Sequence, residues 1–396
     1  MHIELNKDVL YIIDTLKRHG HRADAVGGCV RDFLMGKPPF DIDITTSASP
    51  DEMKRIFADE RTVETGIKHG TLTVVLHGTP YEVTTYRVDG EYADHRHPDE
   101  VIFTETLSED LARRDFTVNA MCYSPDHGLT DLYGGREDLE RGIIRAVGEA
   151  AKRFTEDALR ILRGLRFSST LGFEIEEKTA AAMRGCAHLL SFVSAERVLV
   201  EWRKLLGGKD ARRILTQFSE VLAVAIPALS EIPVEDLPPL DDLNAEERML
   251  LLFALLPKEV AAVRFEECAL ALRSDKASIR RGTEILSHLH DADLGTDESL
   301  SYLLHDLGEG GARAALSIRV RLRLCAPSRL VALEKWIEKR PCTALSDLAV
   351  DGKALAALGY RGRAIGDALQ ELLFAVMSGK VENRPDALLS YLGAVK

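Results

Sequence analysis

The sequence predicts an α+β protein in which a small mixed head precedes a long, almost purely helical region. Strand and helix patterns alternate up to about residue 140 of the 396 residues. After residue 150, apolar residues recur at three- to four-residue intervals, which is the spacing of one helix face. With 45% apolar and 29% charged residues, the composition is that of a folded protein with several cores, which excludes collagen-like and disordered classes.

The head starts with a predicted helix over residues 5–19 that ends at Gly20. A short strand is predicted over residues 22–26, and it runs into Gly27 and Gly28 before a helical turn. Because glycine lets backbone N–H groups approach a ligand closely, this strand-to-helix turn is a candidate polyphosphate site.

The next strand is predicted over residues 40–46 and precedes a strong helix start. Ser49 is suited to cap this helix, Pro50 to its first position and Glu52 to its third. Two more strands follow, with a His-Gly-Thr-Pro turn between them: residues 71–77 and 80–87.

The helical region contains segments with helical apolar spacing at residues 155–171, 174–189, 194–206, 210–223 and 244–256. Residues 227–243 are rich in proline and acidic residues and are predicted to form a linker or a long loop. No apolar run approaches the roughly 20 residues of a membrane span, and the first residues are too polar for a signal peptide. We therefore expect no membrane partner.

Cysteine spacing and charge add two expectations. The six cysteines are scattered and include no CxxC pair, which argues against structural zinc and favours a cytoplasmic location. The formal net charge is −12, but residues 141–220 carry 15 Lys and Arg against 10 Asp and Glu. Such a basic segment suits a local phosphate-binding strip, although solvated Arg-rich helices give the same count.

Asp41 and Asp43 carry the strongest chemical signal of the head. Two positions apart on a strand, their side chains project from one face. Mg²⁺ prefers oxygen ligands and relieves the repulsion between two carboxylates, and two such ions assist phosphoryl transfer. Glu82 is a candidate third ligand, and the alternative is that it is an ordinary surface residue of a strand. For Asp41 and Asp43 the alternative is a solvated strand end, where isolated carboxylate pairs are common. Arg31, after the glycine turn, can add a forked hydrogen bond to a phosphate.

Several blocks of sequence resemble, in order, the motifs of class II CCA-adding enzymes (tRNA nucleotidyltransferases) and bacterial poly(A) polymerases. They are residues 27–32 (GGCVRD) with 41–43 (DID), 113–120 (RRDFTVNA), 131–138 (DLYGGRED), 156–160 (EDALR) and 194–201 (SAERVLVE). Residues 348–379 are similar to the tail of bacterial CCA-adding enzymes. The resemblance implies a polymerase-β-like nucleotidyltransferase head with a mixed sheet, followed by an all-α neck, body and tail, over residues 1–140, 141–208, 209–330 and 331–396.

The resemblance also implies a role for each matching residue. Asp41 and Asp43, with Glu82 as a candidate third ligand, would hold two Mg²⁺ ions. Gly27, Gly28 and Arg31 would bind the triphosphate, and Arg114 and Asp115 would bind the ribose. Asp157 and Arg160 would read the base, and Asn119 would also bind the nucleotide. Asp157 and Arg160 are one helical turn apart on one face, where they can hydrogen-bond a base edge or form an ordinary intrahelical salt bridge. Arg163 and Arg166 follow Arg160 at three-residue intervals. They either face phosphate or flank the helix.

The implied reaction is template-independent addition of C, C and A to the 3′ end of tRNA from CTP and ATP, with release of pyrophosphate. The implied partners are the tRNA acceptor end and elbow, and no obligate protein partner is evident. A polar segment at residues 86–103 is typical of enzymes that add all of CCA, although an enzyme that adds only A would also retain it. A poly(A) polymerase and a tRNA-binding protein without turnover are the remaining alternatives.

Two His-Asp pairs resemble fragments of an HD phosphohydrolase, at residues 290–291 and 305–306. We do not find the further ligands that this chemistry requires, and we expect both pairs at helix ends.

Overall fold

A computed structural model describes residues 3–89, 101–290 and 296–394 of the chain. The chain divides into two units, Met1–Leu229 and Ser230–Lys396. The division falls inside the loop predicted at residues 227–243. The four-part division into head, neck, body and tail stays a prediction.

The strands in the described residues all belong to the first unit. They are β1 (Ala23–Val26), β2 (Asp43–Thr46), β3 (Arg61–Val63), β4 (Thr71–Leu76), β5 (Thr79–Thr85), β6 (Arg87–Asp89), β7 (Val101–Phe103), β8 (Met121–Ser124), β9 (Gly128–Asp131), β10 (Ile143–Ile144) and β11 (Glu174–Ile175).

The α-helices of the first unit are α1 (Lys7–Arg18), α2 (Gly28–Leu34), α3 (Pro50–Ile56), α4 (Leu107–Ala112), α5 (Gly135–Arg141), α6 (Ala150–Glu156), α7 (Leu159–Leu171), α8 (Glu177–Gly185), α9 (Ala195–Leu206), α10 (Ala211–Gln217) and α11 (Ser219–Ala225). Those of the second unit are α12 (Ala245–Phe253), α13 (Lys258–Ala271), α14 (Lys276–His288), α15 (Asp297–Arg321), α16 (Ser328–Glu338), α17 (Gly352–Ala357), α18 (Arg363–Met377) and α19 (Pro385–Ala394).

A seven-stranded sheet in the order β3-β4-β5-β2-β1-β8-β9 forms the centre of the head. Strands β2 and β5 are parallel, and the other neighbours are antiparallel. The predicted mixed sheet and the predicted α+β class are therefore confirmed. Helices α1, α2 and α3 contact this sheet and bury their apolar faces in the same core, which includes Val9, Ile12, Val30, Ile44 and Met53.

Local sequence signals explain several boundaries in the head. Ser49 and Glu52 form a reciprocal capping box at the start of α3, with Pro50 in the first turn. Strands β4 and β5 are joined by a two-residue turn in which His77 and Gly78 both have positive φ, of 50° and 83°, as tight hairpins require.

Strand β2 is shorter than the predicted strand 40–46, because it begins at Asp43. Asp43 pairs with Val26, the last residue of β1. The chain turns away at Gly27, so residues 40–42 extend past the end of β1.

Three predicted helices are interrupted in the structure. Segment 155–171 is divided at residues 157–158 between α6 and α7, and segment 210–223 is divided at Phe218 between α10 and α11. Segment 174–189 begins with β11, whose backbone pairs in parallel with β10. Apolar periodicity does not reveal such breaks, because it continues on both sides of them.

The second unit is helical throughout its described residues. A core cluster that includes Leu355, Leu372 and Leu388 is formed by the helices near its end. Helix α15 is kinked at Gly308, where φ is 65° and ψ is 175°. No helix in the described part of the chain is both long enough and apolar enough to span a membrane.

Among the described residues of the second unit, no group of three or more potential ligands is arranged to hold a metal ion around His290, His305 or Asp306. His305 and Asp306 lie in the last turn of α15 before its kink at Gly308, which agrees with the expected position at a helix end, and His305 Nδ1 lies 2.7 Å from the carbonyl oxygen of Thr343. His290 follows the end of α14, and its partner Asp291 lies outside the described residues.

Candidate active site

Asp43 lies where three strands of the head sheet meet. Its neighbour in β1 is Val26, immediately before the glycine turn. On the other side, Ile44 pairs in parallel with Val83 of β5, which brings Glu82 to the level of Asp43. The sheet therefore brings the candidate third carboxylate to the predicted pair.

The carboxylates of Asp41, Asp43 and Glu82 influence one another through their charges. Crowding by protein atoms, and then the negative charges of Asp41 and Glu82, raise the pKa of Asp43 to about 6, while Arg114 opposes this shift. All three acidic residues retain exposed surface, so a ligand can reach them.

These carboxylates suit Mg²⁺, because they offer only oxygen atoms and their mutual repulsion favours a bound cation. Across residues 3–89, 101–290 and 296–394, however, no group of three or more His, Cys, Asp or Glu side chains is arranged to hold a metal ion. Asp41 and Asp43 are the primary candidate ligands, and ligation by Glu82 stays a prediction.

The glycine turn lies beside these carboxylates and beneath two guanidinium groups. Gly27 has φ of +83°, and a Cβ atom at this residue would lie 3.1 Å from Nη1 of Arg114. A Cβ atom at Gly28 would lie 3.5 Å from Nη2 of Arg31. The structure thus brings together Gly27, Gly28 and Arg31, the residues predicted to bind the triphosphate. Arg114, which was predicted to bind the ribose, lies beside the same turn.

Arg31 is held in place by two polar partners and one aromatic ring. Its Nη2 lies 2.8 Å from Asp32, and its Nη1 donates to Oδ1 of Asn119 at 2.7 Å. Its guanidinium carbon is 5.3 Å from the ring centroid of Phe167. Asn119, predicted to bind nucleotide, therefore contacts Arg31 in this structure.

Asp115 is buried, and its oxygen atoms accept hydrogen bonds from the protein. Nε of Arg163 donates to Oδ2 at 2.8 Å, while Oδ1 accepts from the backbone N–H of Phe116 and from Asn119 at 2.8 and 3.3 Å. Burial alone would raise the pKa of Asp115, but the charge and hydrogen bonds of Arg163 outweigh it and lower the pKa to about 2.

Arg163 and Arg166 face the interior of the first unit rather than simply flanking α7. Arg166 stacks on the ring of Phe167 at 3.6 Å from its centroid, and Arg163 lies 5.4 Å from the same centroid. Nε of Arg166 donates to Glu201 at 2.9 Å. Together with Arg31, three guanidinium groups surround one aromatic ring.

Asp157 and Arg160 do not share one helix face as the motif spacing predicts. Asp157 lies in the break between α6 and α7, with extended backbone at φ −140° and ψ 104°. Its Oδ1 accepts from the N–H of Leu159 at 3.1 Å, and its Oδ2 accepts from Arg197 at 2.8 Å. Asp157 and Arg160 therefore lie at the break between α6 and α7, which an Asx-type turn stabilises.

Arg160 is the first-turn residue of α7 and is buried. Its Nη1 donates to Glu156 at 2.7 Å, and its Nη2 donates to the carbonyl oxygen of Arg113 at 3.0 Å. In the structure, Asp157 forms an ion pair with Arg197, and Arg160 forms one with Glu156.

Three residues around the site were not identified as functional from the sequence. Arg197 and Glu201 lie in the SAERVLVE block, which was matched without assigning roles to its residues, and Asp110 precedes the arginines of the RRD block. A signal was present for Asp110, because acidic and basic residues three and four positions apart meet on a helix. For Arg197 and Glu201, the long-range partner was not visible in the sequence.

Two protein-family models match the chain. "Poly A polymerase head domain" matches residues 24–145, which contain the carboxylates and the glycine turn. "Probable RNA and SrmB- binding site of polymerase A" matches residues 172–230.

Curated relatives and solved structures match nearly the whole chain. The CCA-adding enzyme of Lactobacillus delbrueckii subsp. bulgaricus is 36% identical over 98% of this chain and 98% of its own length. The CCA-adding enzyme of Enterococcus faecalis is 36% identical over 97% of this chain and 95% of its own length. The crystal structure of the Bacillus stearothermophilus CCA-adding enzyme in complex with CTP has a TM-score of 0.80 at 35% identity, covering 97% of this chain and 96% of that one.

Proposed function

This chain belongs to the family of CCA-adding enzymes, and on that premise we propose that it adds C, C and A to the 3′ end of tRNA from CTP and ATP, releasing pyrophosphate. The observation that carries the proposal is the meeting of Asp43, the Gly27 turn and Arg114 where the central strand β1 ends and its neighbour β2 begins. The same relationship extends over the helical region, so that tRNA is the proposed macromolecular substrate.

Phosphate binding is assigned to the glycine turn and the arginines over it. Gly27 and Gly28 leave room for a triphosphate beside the carboxylates, because a side chain at Gly27 would contact Arg114. Arg31 and Arg114 supply positive charge for the phosphates, and Arg163 and Arg166 add to it from α7.

Asp41 and Asp43 are the proposed ligands of Mg²⁺, and Glu82 is the proposed third. The metal, when bound, lowers the pKa of an attacking hydroxyl and stabilises charge on the leaving pyrophosphate. The negative charges of Asp41 and Glu82, which contribute to the raised pKa of Asp43, also favour a bound cation beside it.

Base selection is assigned to Asp157 and Arg160. Arg197 holds Asp157, and Glu156 holds Arg160, so acceptor and donor atoms are fixed before a nucleotide arrives. A base with the wrong hydrogen-bonding edge would leave such groups buried and unpaired, which disfavours GTP and UTP.

The remaining assignments concern the rest of the molecule. We assign head, neck, body and tail to residues 1–140, 141–208, 209–330 and 331–396, with the acceptor end of tRNA at the head and its elbow at the tail. We assign the cytoplasm as the site of action, where the six cysteines remain thiols, as they are in the structure.

The test uses tRNA transcripts that end at the discriminator base, after the first C, and after CC. Each is incubated with Mg²⁺ and with CTP, ATP or both, and the products are resolved on a sequencing gel. We expect the first transcript to gain CC from CTP alone and one A when ATP is added.

Other outcomes identify the alternatives. Extension of only the CC-ended transcript, by one A, would make the protein an A-adding enzyme, and a long A ladder would make it a poly(A) polymerase. Binding of tRNA without any Mg²⁺-dependent extension would contradict an enzymatic function altogether.

A further inference from the structure

Asp110 is a fully buried carboxylate that the proposed mechanism does not use. It lies on α4 and has 0% exposed surface. Its Oδ1 accepts from Nε and Nη2 of Arg113 at 2.9 and 2.7 Å. Its Oδ2 accepts from Nη2 of Arg114 and from the hydroxyl of Thr45, each at 3.2 Å.

These contacts connect the catalytic strand to the RRD block. Thr45 is two residues after Asp43 on β2, so both side chains project from one face of the sheet. Asp110 therefore anchors Arg114 on the sheet face that carries a candidate metal ligand.

Arg114 is the member of this group that reaches the nucleotide site. Its Nη1 lies over Gly27, 3.1 Å from the position of a Cβ atom there. Its Nε is buried and has no hydrogen-bond partner among the residues that the structure describes. The orientation of this guanidinium thus depends on the carboxylate that binds Nη2.

We propose that Asp110 is a positioning residue, which fixes the guanidinium of Arg114 over the Gly27 turn before the nucleotide binds. This inference rests on the proposed function. A long side chain that is ordered in the free protein loses no further conformational freedom on binding. The acid of Asp110 also keeps a buried positive charge paired when no nucleotide is present.

The test is a double-mutant cycle between Asp110→Asn and Arg114→Ala, read as steady-state KM and kcat for CTP and ATP. With Arg114 present, we expect Asp110→Asn to raise KM by about 3- to 10-fold, the cost of ordering one side chain on binding. With Arg114→Ala, Asp110→Asn should leave KM nearly unchanged, because the residue it positions is gone. The same factor in both backgrounds, or no change with Arg114 present, would overturn the proposal.

A matched control is Asp24→Asn. Asp24 is likewise buried, at 0% exposed, and accepts from Arg22 at 2.8 Å and from Tyr86 at 3.3 Å. Neither of these partners is assigned to the nucleotide site. Asp24→Asn should lower Tm without raising KM, and an equal rise in KM would show that general destabilisation explains the effect of Asp110→Asn.

If Asp110→Asn does not fold, Asp110→Glu replaces it in the cycle. This variant keeps the charge but displaces the oxygen atoms by one methylene group, so a raised KM supports positioning and an unchanged KM overturns it. Wild-type tRNA extension is measured in parallel. Failure of the wild-type protein to extend tRNA would contradict the proposed function, whereas normal extension with an unaltered variant KM would contradict only the role of Asp110.

Discussion

Asp43 combines an exposed position with a raised pKa, and this combination is informative about its chemistry. A carboxylate at an ordinary surface site is ionised well below neutral pH. Here, crowding and the charges of Asp41 and Glu82 make the ionised form less favourable and raise the pKa to about 6. The negative charges of Asp41 and Glu82, which favour a proton on Asp43, also favour a metal ion at this position.

We expect the Mg²⁺ concentration that gives half-maximal activity to increase as pH falls through about 6. Below this pH a metal ion must displace a proton from Asp43, which weakens its binding by up to about tenfold per pH unit. The measurement is a Mg²⁺ titration of CMP incorporation at pH values on both sides of the pKa. A Mg²⁺ requirement that does not change with pH would contradict the assignment of Asp43 as a ligand.

Asp43→Asn provides the control on protein stability without metal. A raised pKa means that ionised Asp43 destabilises the folded state, fully above about pH 6 and not at all below the unfolded value near 3.9. In metal-free buffer at neutral pH, the Asn variant should therefore have a higher Tm than the wild type. The difference should disappear as the buffer becomes strongly acidic.

At the scale of elements, the break between α6 and α7 is the feature with the largest consequence for the site. It releases Asp157 from helical geometry and lets its two carboxylate oxygens act separately. One of them accepts from the first N–H of α7, and the other accepts from Arg197 on α9. A continuous helix would have kept Asp157 in helical geometry, with its side chain one turn from that of Arg160.

We expect Asp157→Ala and Asp157→Asn to separate these two roles. Ala removes both acceptors and should lower the free energy of unfolding by about 1–2 kcal/mol, the usual contribution of side-chain hydrogen bonds of this kind. Asn keeps an oxygen for the N–H of Leu159, so its loss of stability should be smaller. Chemical denaturation measures both values.

The same two variants should also misincorporate UTP or GTP, because each lacks the ionised carboxylate proposed to read the base. Single-nucleotide extension of tRNA measures this selectivity. Equal stability losses would contradict the role of the hydrogen bond to Leu159, and intact selectivity in both variants would contradict the base-reading role.

At the scale of the whole molecule, the basic segment at residues 141–220 is informative about charge. Its composition allowed either a phosphate-binding strip or solvated Arg-rich helices. Several of its arginines form ion pairs inside the first unit, including Arg163 with Asp115, Arg166 with Glu201 and Arg197 with Asp157. Its net positive charge is therefore not a simple measure of phosphate-binding surface, and part of it organises the candidate site.

Even so, a chain that binds tRNA must contact many phosphates, since the phosphate backbone dominates affinity for nucleic acids. We expect the Kd for tRNA to rise by at least about tenfold between 50 and 200 mM salt, because bound counterions are released on binding. Filter binding across a salt series measures this dependence. The KM for CTP, measured at saturating tRNA, should change much less, and a salt-independent Kd would contradict extensive phosphate contact.

The sequence by itself determined the features that depend on neighbouring residues. The capping box of α3, a turn at His77 and Gly78 between two strands, and the change from mixed to helical structure are all local patterns, and the structure contains each of them. The ordered motifs likewise identified the family, because five matching blocks in one order are highly specific.

Only the tertiary structure decided which of these residues meet. The parallel pairing of β2 with β5 brought Glu82 to the level of Asp43, and helix packing joined Asp115 to Arg163 and Asp157 to Arg197 across 48 and 40 residues of chain. Such contacts depend on how apolar faces bury against one another, which no short window of sequence contains. Whether a charged residue binds a ligand or holds a neighbour is therefore set by packing, as Asp110 and Asp115 illustrate.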